Sequence, residues 1–308
     1  MKNKRGFLEI SFAWLFGIIA GAIILAIAIF TVTRIMNIGQ SSTTAEAGSE
    51  IAALLNPLQT SFQSGQITSI SLPVETRIYN QCENFSGTFG LQILSLSQLS
   101  LGKWSPQTNG VTFGDKYIFS DNVSDGRQFY LFSKPFSFPF EVSDLIYMTS
   151  SSVDYCFVNS PQSIQEELSN LNEGNIRLTN DTTNCPQNSI KVCFSGSNCD
   201  INVDYTREEV TKNGSTLNFY GDALMYGAIF SDSSIYECQL KRLMERDAEL
   251  SSLYIEKSNA IQSCTPNPDL MQLNSMLNSF QNSQDMINLI PLTSQLQNEN
   301  DASTCKLW

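Results

Sequence analysis

Residues Ile10 to Val32 read ISFAWLFGIIAGAIILAIAIFTV, 23 positions without a charged side chain. Wound as a helix at ~1.5 Å per residue, that run is about 34 Å long and exceeds a hydrocarbon core of ~30 Å. A secretory leader carries an apolar stretch of only ~7–15 residues. The reading is therefore a retained transmembrane helix over residues 10–33, with a cleaved leader as the alternative; Ala45-Glu46-Ala47, which looks like a cleavage site, lies beyond it. Lys2, Lys4 and Arg5 precede the run and Arg34 alone follows closely. The positive-inside rule then assigns residues 1–9 to a basic cytoplasmic segment and the bulk of the chain to the outside of the cell membrane, crossed once.

Composition supports that division. The chain has 308 residues, 42% apolar and 16% charged, with no histidine. Lacking histidine, it has no Ser-His-Asp or Cys-His nucleophile and no His-ligated zinc or haem. The formal net charge is −12, and beyond residue 34 the 14 basic and 29 acidic residues leave −15. Such a surface offers no basic stripe to a phosphate backbone, so nucleic acid is not an expected partner. The expected partners are the membrane, other envelope proteins, or further copies of the chain.

All eight cysteines, Cys82, Cys156, Cys185, Cys193, Cys199, Cys238, Cys264 and Cys305, fall in the exported part. An even count outside a membrane reads as up to four disulfides. Zinc sites want pairs as close as C-x2-C, but the nearest cysteines here, 185/193 and 193/199, have seven and five residues between them. No cofactor or metal ligand set is expected. Four sequons, at Asn84, Asn122, Asn180 and Asn213, are candidate glycosylation sites on an exported surface.

Along the chain, residues 34–65 read as a helical stalk: Ile51, Leu54, Leu55 and Leu58 share a face, and Pro57 marks its end. Residues 66–220 form a β-rich region, with strand signals around 68–72, 76–78, 117–119, 129–132, 145–148, 155–158 and 190–194. Asn213-Gly214 predicts a type I′ hairpin, a tight turn that disfavours glycosylation at Asn213. One helix interrupts the strands, with Ile164, Leu168 and Leu171 on one face. Residues 221–308 read as helical and packed on the β-rich region. Tyr236, Leu240, Leu243, Leu250, Tyr254 and Ile261 line one helix. The next is capped by Asn267-Pro268-Asp269 and carries Leu270, Leu273, Leu277 and Phe280. A third apolar cluster, Met286 to Ile290, ends at Pro291. The fold class is α+β: an N-terminal transmembrane helix, a β-rich extracellular domain and a C-terminal helical hairpin. A single helix over 238–264 separates its end cysteines by about 39 Å, far beyond the ~7 Å of a disulfide. Cys238 with Cys264 is therefore excluded, and Cys238–Cys305 is expected to staple the hairpin.

Short motifs bring little chemistry. Ser100-x-x-Lys103, Ser120-Asp121-Asn122 and Lys212-Asn213-Gly214 echo the three motifs of penicillin-recognising serine enzymes, but the spacing and the third motif are wrong. Asp121 to Phe132 lacks the oxygen ligands of a calcium loop at positions three and twelve and reads as a surface turn. Trp104, Phe136, Phe138 and Phe140 are either a ligand-facing aromatic patch or a buried, proline-bounded edge strand. No catalytic residue is assigned, although a carboxylate pair for glycan hydrolysis is not visible in sequence one way or the other.

Two resemblances bear on placement. Lys4-Arg5-Gly6 followed by Phe7, Leu8 and Glu9 before the apolar run resembles the leader of type IV pilin-like subunits. That likeness implies processing after Gly6, although the family glutamate is normally fifth after the cut and Glu9 would be third. The other reading of Glu9 is an interfacial acid at the positive end of a helix dipole. Val74–Asn80, Phe132–Phe136, Gly221–Tyr226, Tyr236–Leu243 and Cys305–Trp308 look like segments of uncharacterised archaeal single-pass membrane proteins with an N-terminal anchor and a Cys-containing ectodomain. The likeness runs over nearly the whole chain and brings no activity. The expected role is a membrane-anchored structural or interaction protein of the cell envelope, pilin-like or adhesive and without catalysis. The alternatives are a ligand- or signal-binding ectodomain and a carboxylate-based glycan hydrolase.

Overall fold

The computed structural model describes residues 14–32, 67–84, 89–195, 199–261 and 267–308. Met1–Glu46 and Ala47–Trp308 are two compact units. The processing candidates Gly6, Phe7 and Glu9, the 34–65 stalk and Cys264 lie outside the described residues.

In the first unit, α1 (Trp14–Val32) is 19 residues long and has a mean hydropathy of 2.8 over its most apolar window. It is long and apolar enough to cross a membrane. Its one polar side chain, Thr31, returns its hydroxyl to the carbonyl of Ile27 at 2.7 Å, which removes the cost of leaving that group unsatisfied in an apolar surrounding.

The second unit is α+β. Its first sheet contains β1 (Ile67–Glu83), β2 (Leu91–Ser100), β3 (Lys103–Trp104), β4 (Val111–Phe113), β5 (Tyr117–Phe119), β6 (Val123–Ser137) and β7 (Glu141–Ser150). The spatial order is β3-β2-β1-β6-β7-β5, with β4 beside β2. Period-two alternation divides its apolar side chains. One face turns Ile78, Leu94, Leu96, Ile118, Phe129, Leu131, Ile146 and Met148 into a small core of their own. The other turns Tyr117, Phe119, Phe132, Leu145 and Tyr147 into the main core. The sheet curls until the free edge of β5 meets side-chain amides from β1 and β2. Gln92 accepts from the Ile118 amide at 2.8 Å and donates to the Ile118 carbonyl at 2.9 Å. Asn80 donates to the same carbonyl at 3.2 Å. These amides stand in for a neighbouring strand and satisfy an edge that is otherwise buried.

The second sheet holds β8 (Tyr155–Val158), β9 (Ile176–Thr179), β10 (Ile190–Cys193), β11 (Ile201–Asp204), β12 (Glu209–Lys212) and β13 (Ser215–Asn218). Its order is β13-β12-β11-β10-β8-β9. β8 and β9 are parallel and joined by α2 (Gln162–Leu171), which buries Ile164, Leu168 and Leu171 as its spacing predicts. The β12–β13 turn is the expected type I′ hairpin, with φ of 50° at Asn213 and 75° at Gly214. Neither sheet sequence predicts β2, whose apolar run is broken by Ser95 and Ser97. Both serines are buried, and Ser97 is satisfied by the carbonyl of Ser105 at 2.6 Å.

Between the sheets lies α3 (Gly221–Phe230), buried at every position from Ala223 onward. A helix apolar on all sides needs such a position. Gly227 allows the approach, since a Cβ there would meet the Phe119 ring at 2.8 Å. α4 (Ser233–Ala260), α5 (Pro268–Asn278) and α6 (Met286–Ala302) follow. The expected cap forms, with Asn267 accepting from the Asp269 amide at 2.8 Å. The helices run antiparallel in turn: Asn274 of α5 reaches the Ala248 carbonyl of α4, and Gln295 of α6 reaches Asp269 of α5. There are thus three passes, not a hairpin. Pro291 lies inside α6 rather than ending it; burial of Leu289, Leu292 and Leu296 outweighs one lost backbone hydrogen bond.

The third pass also corrects the cysteine pairing. It carries the chain end to the C-terminal end of α4, where Lys257 donates to the Leu307 carbonyl at 2.5 Å and Trp308 packs on Tyr254. Cys238, near the start of α4, is about 28 Å away along the helix. It pairs instead with Cys82 of β1, 156 residues away. Cys156 pairs with Cys185 and Cys193 with Cys199, and Cys305 is also disulfide-bonded.

Candidate functional site

A cluster of buried and half-buried ionisable groups lies where the two sheets hand over to each other. After β5 the chain passes through Ser120-Asp121-Asn122 into β6; Lys212 ends β12, and Asp232 sits in the turn between α3 and α4. The amide of Asn122 donates to Asp232 Oδ2 at 2.7 Å. Lys212, 6% exposed, donates to the carbonyl of Ile229 at 3.3 Å and to that of Ser231. Its ammonium thereby caps the negative end of α3. Burial pulls Lys212 down to about 8, against the attraction of Asp121 and Asp232. Burial, followed by repulsion from Asp232, pushes Asp121 up to about 6, with Lys212 opposing.

Two depressions flank Val123. One, of 360 Å³, lies between β1 and the start of α4 and is lined by Asn80, Asn122 and Ser234 among others. The other, of 230 Å³, lies between the start of β6 and the β7–β8 turn. Asp121, Asp125, Ser124, Ser152 and Tyr155 contribute to its wall. Ser150, also on that wall, packs against Gly126, where a Cβ would meet its hydroxyl at 2.4 Å. Asp125 is committed to Arg77, which donates from Nε and from its terminal nitrogen at 2.7 Å each and stacks on Trp104 with 4.3 Å to the ring centroid. Tyr155 is 3% exposed. Burial raises its hydroxyl, and the charges of Asp121, Asp232 and Glu173 add to the effect.

Two more acids are buried without hydrogen-bond partners. Glu173, just after α2, has neither carboxyl oxygen bonded, and burial pushes it up to about 8. Asp247 of α4 is equally bare and is pushed well above the carboxylate range by burial. Arg242 contrasts with both. It is fully buried, yet it donates to the carbonyls of Phe89, Lys116, Phe113 and Gly114 and to Gln239. It lies 4.8 Å from the Tyr117 ring centroid. Those bonds join α4 to the first sheet.

Of the residues singled out in sequence, the structure brings some together. Ser120-Asp121-Asn122 and Lys212 share the seam, while Ser100 and Lys103 lie apart at the β2–β3 turn. The 121–132 stretch is not a surface turn: β6 begins at Val123. Phe136, Phe138 and Phe140 are core residues, so they present no aromatic patch; nor is β6 an edge, since β1 and β7 flank it. Among the sequons, Asn122, Asn180 and Asn213 are exposed, but both side-chain amide atoms of Asn84 are enclosed. Asp232, Tyr155 and Glu173 are seam residues that sequence reasoning missed. Lys212 left a trace: it alternates with buried Val210 and so lies on the inward face of β12. Among the described residues no three His, Cys, Asp or Glu side chains gather as a metal site. Compared with known protein families, curated proteins and solved structures, the chain matches none.

Proposed function

We propose that this is a single-pass, membrane-anchored structural or interaction protein of the cell envelope, with its α+β domain outside and no catalytic activity of its own. The observation that carries the reading is the pairing of α1, an uncharged helix long enough to span a bilayer, with a domain whose distant segments are joined by disulfides. Disulfides persist in oxidising, extracytoplasmic compartments, and an apolar helix of this length has lipid as its natural surrounding. Three exposed sequons add surface sites for glycans. The seam supports the absence of hydrolysis: of the two carboxylates on the 230 Å³ depression, Asp125 is held bidentately by Arg77 and has no free role as base or nucleophile.

Mass spectrometry of the mature amino terminus, from membrane fractions of the native host, tests the pilin-like branch. A terminus at Phe7 supports processing and assembly into a filament; an intact Met1-Lys2 rules that branch out and leaves a permanently anchored surface protein. Recovery of the whole chain in the soluble fraction refutes the anchor itself. The ligand-binding reading is favoured by one feature, the open hydroxyl-lined depression beside Tyr155.

A further inference from the structure

The outer edge of the first sheet departs from the rest of the domain in charge. From residue 84 to residue 114 the sequence holds no Asp or Glu and a single cation, Lys103, although the chain beyond residue 34 carries −15. This stretch supplies β2, β3 and β4, and both β3 and β4 pair with β2. Its tip is the two-residue turn Leu101-Gly102, closed by the Ser100–Lys103 pair. The φ angles there are 49° and 74°, the same turn as Asn213-Gly214 at 50° and 75°. Asparagine suits the left-handed region, whereas a leucine there carries a steric cost. Leu101 gains no burial in return: it is 82% exposed, more than any other large apolar side chain among the described residues. Further apolar surface surrounds it. Leu99 and Trp104, a cross-strand pair, are half-buried. Thr76 pairs with Gln98, which brings the exposed Pro73-Val74 segment of β1 to the same end of the sheet. Of the acids on the adjoining strands, Asp125 is neutralised by Arg77 and Glu75 is half-buried.

We infer that the Leu101-Gly102 tip docks on a lipid bilayer, with Leu101 dipping below the head groups and Lys103 and Trp104 at their level. Three observations select lipid as the occupant. An exposed leucine beside a tryptophan and a lysine is the composition of an interfacial anchor: the indole prefers the head-group region, and the ammonium reaches back to water and phosphate. The edge lacks the acids that would repel a head-group phosphate in an otherwise acidic domain. The same chain carries α1, a helix of bilayer length. The inference rests on the reading of α1 as a membrane anchor. A domain tethered in that way meets the bilayer at high effective concentration, so a small apolar tip is enough to hold it there.

The test is tryptophan quenching in the full chain, reconstituted in phosphatidylcholine vesicles with bromine near the head of the acyl chains. Trp14→Phe with Trp308→Phe leaves Trp104 as the one tryptophan, and Trp104→Phe with Trp308→Phe leaves Trp14 of α1. The expected result is quenching of both, with Trp104 losing at least about a third of its emission. Adding Leu101→Asn should remove most of the Trp104 quenching while leaving Tm unchanged or higher, because asparagine suits the turn. Trp14 quenched with Trp104 unquenched overturns the inference and leaves the anchor standing; neither quenched overturns both. Unchanged quenching in Leu101→Asn overturns it, as does a lower Tm, which would give the leucine a structural role. Trp104 shielded from aqueous iodide yet unquenched by the lipid also overturns it, in favour of a second copy or another protein on this edge. If Leu101→Asn does not fold, the comparison of Trp104 with Trp14 decides.

Discussion

Replacing Glu173 by Gln should change how stability depends on pH. Glu173 is 6% exposed, neither of its carboxyl oxygens has a hydrogen-bond partner, and burial holds it at about 8 against an ordinary 4.5. A carboxyl whose folded pKa is raised binds its proton more tightly in the folded state. Below pH 4.5 it is neutral in both states and costs nothing extra. Between 4.5 and 8 the unfolded chain ionises freely while the folded chain does not, and stability falls with rising pH. Each pH unit in that window is worth ~1.36 kcal/mol, so the whole window is worth about 5 kcal/mol as a ceiling. Glutamine keeps the shape and removes the titration. Chemical denaturation of the full chain with disulfides intact should therefore show Glu173→Gln gaining on the parent as pH rises from 5 to 8, by about 2–4 kcal/mol. Comparing the two proteins isolates Glu173 from Asp121 and Asp247, whose raised pKa values act in the same direction in both. Parallel profiles across that range would refute the claim that Glu173 is buried unpaired.

Opening the Cys82–Cys238 bridge with a Cys82→Ser/Cys238→Ser double variant releases a 156-residue loop; the expected loss is about 5 kcal/mol or less on loop-entropy grounds, measured by the same denaturation. Arg242→Met leaves carbonyls from both β4 and the turn before β5 without their donor, and should cost about 3 kcal/mol or more. Gly227→Ala drives a methyl group into the Phe119 ring and should cost about 1–3 kcal/mol, seen as a lower Tm. Glycopeptide mapping from the native host should find glycan on Asn180, which is exposed outside regular strands. It should find none on Asn84, whose amide is enclosed.

What could be read from the sequence was local. Asn213-Gly214, Asn267-Pro268-Asp269 and the Ile164/Leu168/Leu171 face each report a conformation decided within a few residues, and each element formed as expected. The aromatic and β-branched runs located β5, β7, β8 and β10 for the same reason. β2 was not legible, because its interior serines are polar in sequence and acceptable only through partners brought by the fold. The end of α6 was misread because proline's local cost was outweighed by packing. Cys238–Cys305 failed because pairing depends on the number of helical passes, a long-range property. The seam was least visible of all, since Asn122 and Asp232 meet across 110 residues. Only the inward register of Lys212 beside Val210 signalled that a charge was being buried.

The central claim is that α1 holds an oxidised, folded domain on the outer side of a membrane. The direct measurement is protease accessibility on intact cells of the native host, with the product run under reducing and non-reducing conditions. The account predicts digestion of the 67–308 region from outside and a disulfide-dependent mobility shift in the protected starting material. Full protection until the cells are lysed, with free thiols at Cys82 and Cys238, would contradict it.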